Sequence, residues 1–347
     1  MIAEPKNILI VLHGSIGDVT RALPLATLLR RGFPKATLSW SVEPQAFPLV
    51  QNYPGLDEVI LFDRHRWRST FHDFLRKIRS KRFDLVLDLQ RHLKSGIISH
   101  WSGARHRVGF NRADCKEFNW IFNNHFIPAM GERISKLEHY LKFAEYLGLR
   151  TRPIEWNFSL TKQEMSSVRQ LLRGVGPYAV LFVGSRWESK QWFPVQVAEC
   201  AQLIQECHNL DVVLLGGKEE STLAAEAVQS GIPMINLAGR TSLRQAIGVL
   251  TGARFAVGPD TGLMHIAAAV RTPVVSLWGA TSPARSGPYG FEHLVIQGKA
   301  SCSPCYLKRC SIGRICMRSI EKEEVAAKIL MALSHRHSES VSRGAGT

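Results

Sequence analysis

The 347-residue chain is too long for one ordinary hydrophobic core, so we expect two domains of about 150 residues each. Its hydrophobic share of 45% and charged share of 21% are typical of globular proteins. The sequence contains no run of 18 apolar residues, the length that would predict a transmembrane helix. A net charge of +15 favours an anionic partner, which could be a phosphorylated substrate, an acidic membrane surface or nucleic acid.

The first half of the chain alternates short apolar runs with helix-like segments. This order predicts a parallel sheet with right-handed crossovers. Helices are predicted at 22–31 and 71–80, and Pro24 suggests a kink or a late start in the first of them. The predicted strands are 7–12, 36–42, 58–62, 84–89 and 107–110.

The same alternation resumes after residue 156 and predicts a second α/β domain. We place the first domain at 1–155 and the second at 156–333. Residues 334–347 are polar and rich in Gly and Ser, so we expect a disordered tail. The predicted strands are 178–183, 211–215, 234–237, 254–257, 273–277 and 294–296, and the predicted helices are 162–172, 194–207, 219–229, 242–250 and 321–333.

A phosphate-binding turn is indicated between the predicted strand 254–257 and an Ala-rich helical pattern. In this turn Asp260 and Thr261 are natural helix N-caps, and Gly262 lets a ligand approach the backbone. Unpaired N–H groups at the positive end of a helix dipole favour a phosphate or diphosphate. The alternative is an ordinary capped turn. The next strand also ends in small hydroxyl residues, so two strand ends are expected to line one edge of the sheet.

Two motifs in this region resemble a known family. Asp-Thr-Gly-x-x-His-x-x-Ala-Ala at 260–269, followed by Leu-Trp-Gly-x-Thr-x-Pro at 277–283, is similar to the family-nine glycosyltransferases, the bacterial heptosyltransferases of the lipopolysaccharide inner core. The resemblance covers nearly the whole chain. It implies a GT-B fold, in which two Rossmann-like α/β domains have parallel sheets facing a central cleft. It also implies an N-terminal acceptor domain, a C-terminal domain that binds ADP-heptose, and no cofactor.

The loop after the first strand carries the predicted catalytic base. The family has a Gly-Asp pair here whose Asp is the proposed base, and Gly17-Asp18 matches it. An inverting sugar transfer needs a carboxylate that takes the proton from the acceptor hydroxyl as C1 is attacked. The alternative is that Asp18 only caps the following helix. The loop lacks G-x-G-x-x-G spacing, which disfavours a dinucleotide-dependent dehydrogenase or epimerase.

The resemblance also assigns donor-binding residues in the second domain. Lys190 matches a family lysine that contacts the diphosphate, and its charge would stabilise the ADP leaving group without a metal. A carboxylate after the strand at 211–215 suits the ribose hydroxyls, and Glu219 is our candidate. For several of these side chains an exposed or structural role is the alternative. The other donor-binding candidates are Ser185, Arg186, Thr241, Asp260, Thr261, Gly262 and His265.

The acceptor is expected to bind a basic surface of the first domain. Eight Lys or Arg residues lie between Arg64 and Arg82 against one acid, and the acceptor candidates are Arg64, Arg66, Arg68 and Lys94. The interleaved aromatic residues Trp67, Phe71, Phe74 and Phe83 suit lipid headgroups and acyl chains. A solvated helix face is the alternative.

We expect a cytoplasmic protein in peripheral contact with the inner membrane, because residues 1–6 lack the basic start and apolar core of a signal peptide. Residues 84–90 with Lys94-Ser95 resemble the family type that adds the first heptose to the Kdo–lipid A region. The residues do not exclude a family-nine transferase that uses another nucleotide sugar. A non-catalytic basic module that binds membrane or nucleic acid is the other alternative, although no nucleic-acid-binding motif accompanies the charge.

Four cysteines lie within fifteen residues, at Cys302, Cys305, Cys310 and Cys316. In a reducing compartment this density raises a zinc or iron–sulfur hypothesis rather than a disulfide framework. The resemblance implies that sugar transfer needs no metal. We therefore assign no metal ligand and leave open whether these thiols bind one.

Overall fold

The computed structural model describes residues 4–131 and 134–344, with side chains as far as residue 335. The chain divides into two compact units, the first ending at Ser159 and the second beginning at Leu160, four residues after the expected boundary. Each unit contains a six-stranded parallel sheet with helices in the connections. The predicted fold class, α/β with two Rossmann-like parallel sheets, is confirmed.

The first unit begins with a strand, and its sheet has the order β3-β2-β1-β4-β5-β6. This is the doubly wound order of dinucleotide-binding folds, in which ligands bind at the carboxyl ends of the strands where the order reverses, here between β1 and β4. The strands are β1 Asn7–Val11, β2 Thr37–Val42, β3 Glu58–Leu61, β4 Leu85–Asp88, β5 His106–Gly109 and β6 His125–Phe126. The helices are α1 Ile16–Gly32, α2 Phe47–Val50, α3 Trp67–Ser80, α4 Leu93–Trp101 and α5 Lys136–Tyr146.

Helix α1 starts six residues earlier than predicted and continues through Pro24. Ser15 and Asp18 form a reciprocal capping box that begins the helix. Proline has no N–H to donate to the carbonyl four residues before it, which is that of Thr20. The indole N–H of Trp156 donates to this carbonyl oxygen instead, at 2.7 Å. The helix therefore tolerates proline because a side chain outside it supplies the missing donor.

The second unit repeats the architecture with the order β12-β11-β10-β7-β8-β9. Here the reversal point lies between β7 and β10, which are directly paired. The strands are β7 Tyr178–Phe182, β8 Asp211–Leu215, β9 Ile235–Asn236, β10 Ala256–Pro259, β11 Val274–Trp278 and β12 Val295–Gln297. The helices are α6 Lys162–Leu171, α7 Pro194–His208, α8 Ser221–Val228, α9 Leu243–Gly252, α10 Gly262–Ala269, α11 Pro283–Ser286, α12 Ile315–Arg318 and α13 Lys322–Gly344.

Gly258 allows β10 to lie close to β7 at the reversal point. A Cβ atom at this position would stand 2.6 Å from Cβ of Phe182 and 2.8 Å from its carbonyl oxygen. Since real Cβ atoms do not approach backbone this closely, only glycine fits here without a shift of β7. The two strand ends that carry Ser185 and Asp260 are thereby kept adjacent.

The C-terminal segment differs from the expectation of a disordered tail. Helix α13 runs from Lys322 to Gly344 and so covers residues 334–344, whereas 345–347 lie outside the described residues. The helix is anchored by Val325, Ile329 and Ala332, which are buried at helical spacing. Within the part of the chain that the structure describes, no helix is long and apolar enough to cross a membrane.

Candidate active site

Three polar side chains of the second unit converge on Asp260, immediately after β10. Its carboxylate Oδ2 lies 2.7 Å from Nζ of Lys190, and it also accepts a 2.7 Å hydrogen bond from the Thr281 hydroxyl. The hydroxyl of Ser185, at the end of β7, donates to the carbonyl oxygen of Asp260 at 2.9 Å. The structure thus brings together Ser185, Lys190 and Asp260, as the sequence predicts.

The N-terminus of α10 follows directly after Asp260. Thr261 occupies the N-cap position, but its side chain makes no capping hydrogen bond. Thr261 thus occupies the predicted N-cap position, whereas the Asp260 carboxylate does not act as a cap, because it pairs with Lys190 and Thr281 instead. The helix begins at Gly262, two residues after Asp260, and its N-cap residue provides no side-chain hydrogen bond to the first-turn N–H groups. Such groups bind phosphate through hydrogen bonds and the helix dipole.

Lys190 is held by a short 3₁₀ turn, Glu188–Lys190. Its ammonium group lies 4.4 Å from the centre of the Trp187 ring, and only 15% of its side chain is exposed. The aromatic face and the Asp260 carboxylate together restrict the ammonium to one position. Lys190 is therefore not an ordinary exposed surface lysine, which was the alternative interpretation of its role.

The cysteine-containing segment supports this turn. The backbone N–H of Ser189 donates to the carbonyl oxygen of Lys308 at 3.2 Å. The Ser189 hydroxyl donates to the carbonyl oxygen of Leu307 at 2.5 Å. The Glu188 carboxylate accepts a hydrogen bond from the backbone N–H of Cys310 at 2.9 Å. The segment that follows β12 therefore packs directly on the turn that carries Lys190.

Arg314 completes this support. Its Nε lies 3.1 Å from a Glu188 carboxylate oxygen, and its Nη1 donates to the carbonyl oxygen of Gln191 at 3.0 Å. The guanidinium also lies 4.2 Å from the centre of the Phe193 ring. Arg314 thus bridges both ends of the Lys190 turn. Nothing in the sequence indicated Arg314, since no spacing pattern links residues more than a hundred positions apart.

The structure gives the cysteines no metal-binding arrangement. Among residues 4–131 and 134–335, no group of three or more His, Cys, Asp or Glu side chains is placed to hold a metal ion. All four thiols of the segment are free. Cys316 is buried against the end of β11, where a Cβ at Gly279 would lie 2.7 Å from its sulfur.

The remaining donor-binding candidates differ in burial. Glu219 is exposed, but its neighbour Glu220 is half-buried and accepts a 2.6 Å hydrogen bond from the backbone N–H of Gly217. Glu220 also packs beside Gly184 at the end of β7, next to Ser185, although the sequence analysis named only Glu219. Arg186 is exposed, Thr241 is half-buried, and His265 is buried within α10.

In the first unit, Asp18 lies at the start of α1 and is bound by four donors. Its Oδ1 lies 2.8 Å from both the Lys136 ammonium and the Arg21 guanidinium. Its Oδ2 accepts hydrogen bonds from the hydroxyl and the backbone N–H of Ser15, at 2.7 and 3.2 Å. Asp18 therefore has the capping role that the sequence analysis gave as the alternative, and it also belongs to an ion-pair cluster that the sequence did not reveal.

These partners control the charge of Asp18. Burial raises the pKa of this carboxyl group, but the charges of Lys136 and Arg21 outweigh that effect. With the hydrogen bonds from Lys136 and Ser15, they hold the pKa well below its usual range. The carboxylate is therefore ionised, and in this arrangement it is a weak base.

His13 and Lys94 meet at the end of β1. The imidazole of His13 stacks on the Phe62 ring at 4.7 Å, and the Lys94 ammonium lies 4.1 Å from the centre of the same ring. Burial, with the charge of Lys94, lowers the pKa of His13 to about 3, so this imidazole is neutral. Burial also lowers the pKa of Lys94, against the opposing effect of Glu43.

The other acceptor candidates are more exposed. Arg64 lies 3.5 Å from a carboxylate oxygen of the buried Glu43, whereas Arg66 and Arg68 are exposed at the start of α3. Of the interleaved aromatic residues, only Trp67 is largely exposed, at 50%. The expectation that all four face lipid is wrong, because Phe71 packs against the hydrophobic core and Phe74 and Phe83 are buried in it.

The chain is similar to known glycosyltransferases. The model of glycosyltransferase family 9 (heptosyltransferase) matches residues 71–316. A lipopolysaccharide core heptosyltransferase of Haemophilus influenzae is 24% identical, over 82% of this chain and 82% of that protein. Lipopolysaccharide heptosyltransferase 1 of Pseudomonas aeruginosa is 28% identical, over 88% of this chain and 87% of that protein.

Two solved structures have the same fold. A family 9 glycosyltransferase from Veillonella parvula superposes with a TM-score of 0.83 at 18% identity, covering 96% of this chain and 99% of that one. The Escherichia coli ADP-heptose lipopolysaccharide heptosyltransferase II superposes with a TM-score of 0.77 at 22% identity, covering 95% and 99%. At these identities the likeness establishes the fold alone.

Proposed function

This chain belongs to glycosyltransferase family 9 (heptosyltransferase), and we propose that it transfers heptose from ADP-heptose to the inner core of lipopolysaccharide, in the Kdo–lipid A region. The observation that carries the proposal is the cluster of Ser185, Lys190 and Asp260 beside the uncapped N-terminus of α10. It lies at the reversal point of a doubly wound sheet, where such folds bind nucleotides. Relatives named as lipopolysaccharide heptosyltransferases match more than four-fifths of the chain.

The donor diphosphate binds between the N–H groups of α10 and the Lys190 ammonium. As the bond between C1 and the phosphate oxygen breaks, negative charge grows on the departing ADP. Backbone donors and a fixed ammonium stabilise that charge without reorganising. Thr261 and Gly262 line this site by position, and a carboxylate after β8, Glu219 or Glu220, receives the ribose hydroxyls.

Asp18 is the general base of the reaction. It takes the proton of the acceptor hydroxyl while the hydroxyl oxygen attacks C1 of the heptose from the face opposite the diphosphate, so the configuration inverts. Its position after β1, at the reversal point of the first sheet, supports this role. Arg64, Arg66, Arg68 and Lys94 attract the anionic acceptor.

The enzyme works at the cytoplasmic face of the inner membrane in peripheral contact with it. Arg66, Arg68 and the half-exposed Trp67 at the start of α3 are the residues that support this contact. Basic side chains are drawn to anionic headgroups, and tryptophan prefers the interface.

A thermal-shift comparison of ADP, UDP and GDP tests the donor class. ADP is expected to raise the melting temperature of the wild type, and to raise it less in Lys190→Met. Stabilisation by UDP or GDP in place of ADP would favour a family 9 transferase with another nucleotide sugar. Binding of DNA or lipid without any nucleotide response would favour the basic binding module.

A further inference from the structure

The Asp18 carboxylate has no lone pair left for a substrate proton. A carboxylate offers about four acceptor positions on its two oxygens. All four are used: Lys136 and Arg21 share Oδ1, and the Ser15 hydroxyl and backbone N–H share Oδ2. A general base must first release one of these partners, and it must become more basic, because efficient bases have pKa values near the working pH.

The three partner residues differ in how easily they can leave. Ser15 is the N-cap of α1 and forms the capping box with Asp18, so its release would open the helix start. Arg21 lies on the same helix and its side chain is only 8% exposed. Lys136 comes from the first residue of α5, and 31% of its side chain is exposed. It is also the partner whose charge lowers the pKa of Asp18 most.

We propose that Lys136 is a positioning residue that an anionic group of the acceptor draws away from Asp18, so that acceptor binding itself activates the base. This inference rests on the proposed function. A phosphate or carboxylate of the acceptor pairs with the Lys136 ammonium and frees one lone pair of Oδ1. The acceptor O–H bond then breaks and its proton passes to Asp18. The oxygen forms the new bond to C1, and the C1–O bond to the diphosphate breaks with its electron pair on ADP.

The groups around Asp18 are consistent with this exchange. Besides Ser15, Arg21 and Lys136, Tyr140 of α5 also responds to its charge, and burial raises the pKa of this phenol. Tyr140 is 6% exposed and stays neutral, so it does not replace the lysine. When Lys136 leaves, Arg21 and Ser15 still hold the carboxylate in place. The base is thereby exposed only when a charged acceptor is present, which disfavours transfer of the sugar to water.

The test is the pH dependence of transfer by the full-length enzyme. The pH profile of kcat/KM for the acceptor reports the pKa of the base in the free enzyme. The pH profile of kcat reports its pKa in the enzyme–substrate complex. In the wild type, the acid limb of kcat is expected at higher pH than that of kcat/KM. In Lys136→Met the two limbs are expected to coincide, with the kcat/KM limb at least about one pH unit higher than in the wild type. Lys142→Met, on the same helix, is the control and is expected to follow the wild type.

A second readout uses an acceptor whose carboxylates are methyl-esterified and whose phosphates are removed. With this neutral acceptor, kcat of the wild type is expected to fall at least about tenfold, and kcat of Lys136→Met is expected to stay unchanged. Three results would each overturn the inference. The acid limbs of kcat and kcat/KM could coincide in the wild type, or the kcat/KM limb of Lys136→Met could lie at the wild-type pH. The third is an equal loss of kcat in both enzymes with the neutral acceptor.

These failures are distinct from failure of the proposed function. If the wild type transfers heptose and Asp18→Asn does not, but Lys136→Met has the wild-type profile, only the inference is wrong. If the wild type transfers no heptose, both are wrong. A melting temperature of Lys136→Met near that of the wild type is expected, because Asp18 keeps Arg21 and Ser15.

Discussion

Lys190 and Asp260, 70 residues apart in the chain, form an ion pair in which Nζ lies 2.7 Å from Oδ2. The pair joins the turn after β7 to the turn after β10, and Thr281 binds the same carboxylate oxygen. A single short ion pair therefore organises three strand ends. The pair also restricts the ammonium to one position, so under the proposed function little rearrangement is needed when a diphosphate binds.

Replacing Lys190 by Met is expected to weaken ADP binding about tenfold to a hundredfold. This is the effect of losing one charge-assisted hydrogen bond of about 1.5–3 kcal/mol. Asp260→Ala is expected to weaken binding as well, because Lys190 and Thr281 lose the carboxylate that orients them. Isothermal titration with ADP measures both effects, and Lys162→Met, on the exposed face of α6, is the control. Unchanged affinity in both variants would place the nucleotide elsewhere.

Arg314→Met tests the support of the Lys190 turn. The variant removes the bridge from Glu188 to the Gln191 carbonyl oxygen, so we expect the turn to loosen and the KM for the donor to rise about threefold to tenfold. Arg314→Lys is expected to restore part of the loss, since an ammonium makes fewer fixed hydrogen bonds than a guanidinium. Arg309→Met, on the exposed surface of the same segment, is the control. A donor KM equal to that of the wild type would contradict the supporting role.

Neutralising Arg64, Arg66 and Arg68 together tests the acceptor surface. The triple Gln variant is expected to raise the KM for the acceptor, and to reduce binding to phosphatidylglycerol vesicles by up to about a hundredfold, since each basic residue near an anionic surface contributes about 1 kcal/mol. Added salt should shrink the difference, and ADP affinity should not change. The control neutralises Lys162, Arg169 and Arg173 in the second unit. If both triple variants behave alike, Arg64, Arg66 and Arg68 belong only to a solvated surface.

Asp88 gives the protein a pH-dependent stability. The carboxyl group is fully buried at the end of β4, where Asn119 donates to it at 2.7 Å. Burial raises its pKa to about 6, against the opposing hydrogen bonds. Between the unfolded value near 4 and about 6, the folded state holds a proton on Asp88 that the unfolded state has lost, so the contribution of Asp88 to stability rises as the pH falls through this range. The buried neutral His13 contributes in the opposite direction, because only its unfolded form gains a proton near pH 6.

The unfolding free energy of the wild type should therefore gain about 1 kcal/mol from Asp88 between pH 7 and pH 5. Urea unfolding of the wild type and of Asp88→Asn at the two pH values measures it as a difference, because His13 contributes equally to both proteins and only Asp88→Asn should lack this gain. Asp73→Asn, on the exposed face of α3, should keep it. The same pH dependence in all three proteins would show that Asp88 has no raised pKa.

The sequence predicts the sheets well because strands buried on both faces are continuous apolar runs. β1 and β8 lie within one residue of their predicted bounds. It predicts less well where tertiary contacts override local preference. Pro24 suggested a late helix start, but the Trp156 indole compensates for the missing N–H, and no local pattern reveals a donor 136 residues away.

The same limit applies to the candidate site. Lys190 and Asp260 were identified from motifs near strand ends, and the doubly wound order brings those ends together. Lys136 reaches Asp18 across 118 residues through the packing of α5 on α1, and nothing in its own neighbourhood marks it. The prediction that Phe71 and Phe74 of α3 face lipid failed for a related reason. The sequence shows where aromatic residues lie in the chain, but only the three-dimensional packing decides whether they face the core or the surface.

The central claim is tested most directly by transfer from ADP-heptose to a Kdo–lipid A acceptor, followed by mass spectrometry of the acceptor, with wild type and Asp18→Asn side by side. We expect the wild type to add one heptose and Asp18→Asn to be slower by at least about a hundredfold, the scale of a general base, with unchanged ADP affinity. Asp63→Asn is the matched control and should keep its activity. An unmodified acceptor with the wild type, or near-normal transfer by a folded Asp18→Asn, would contradict the account.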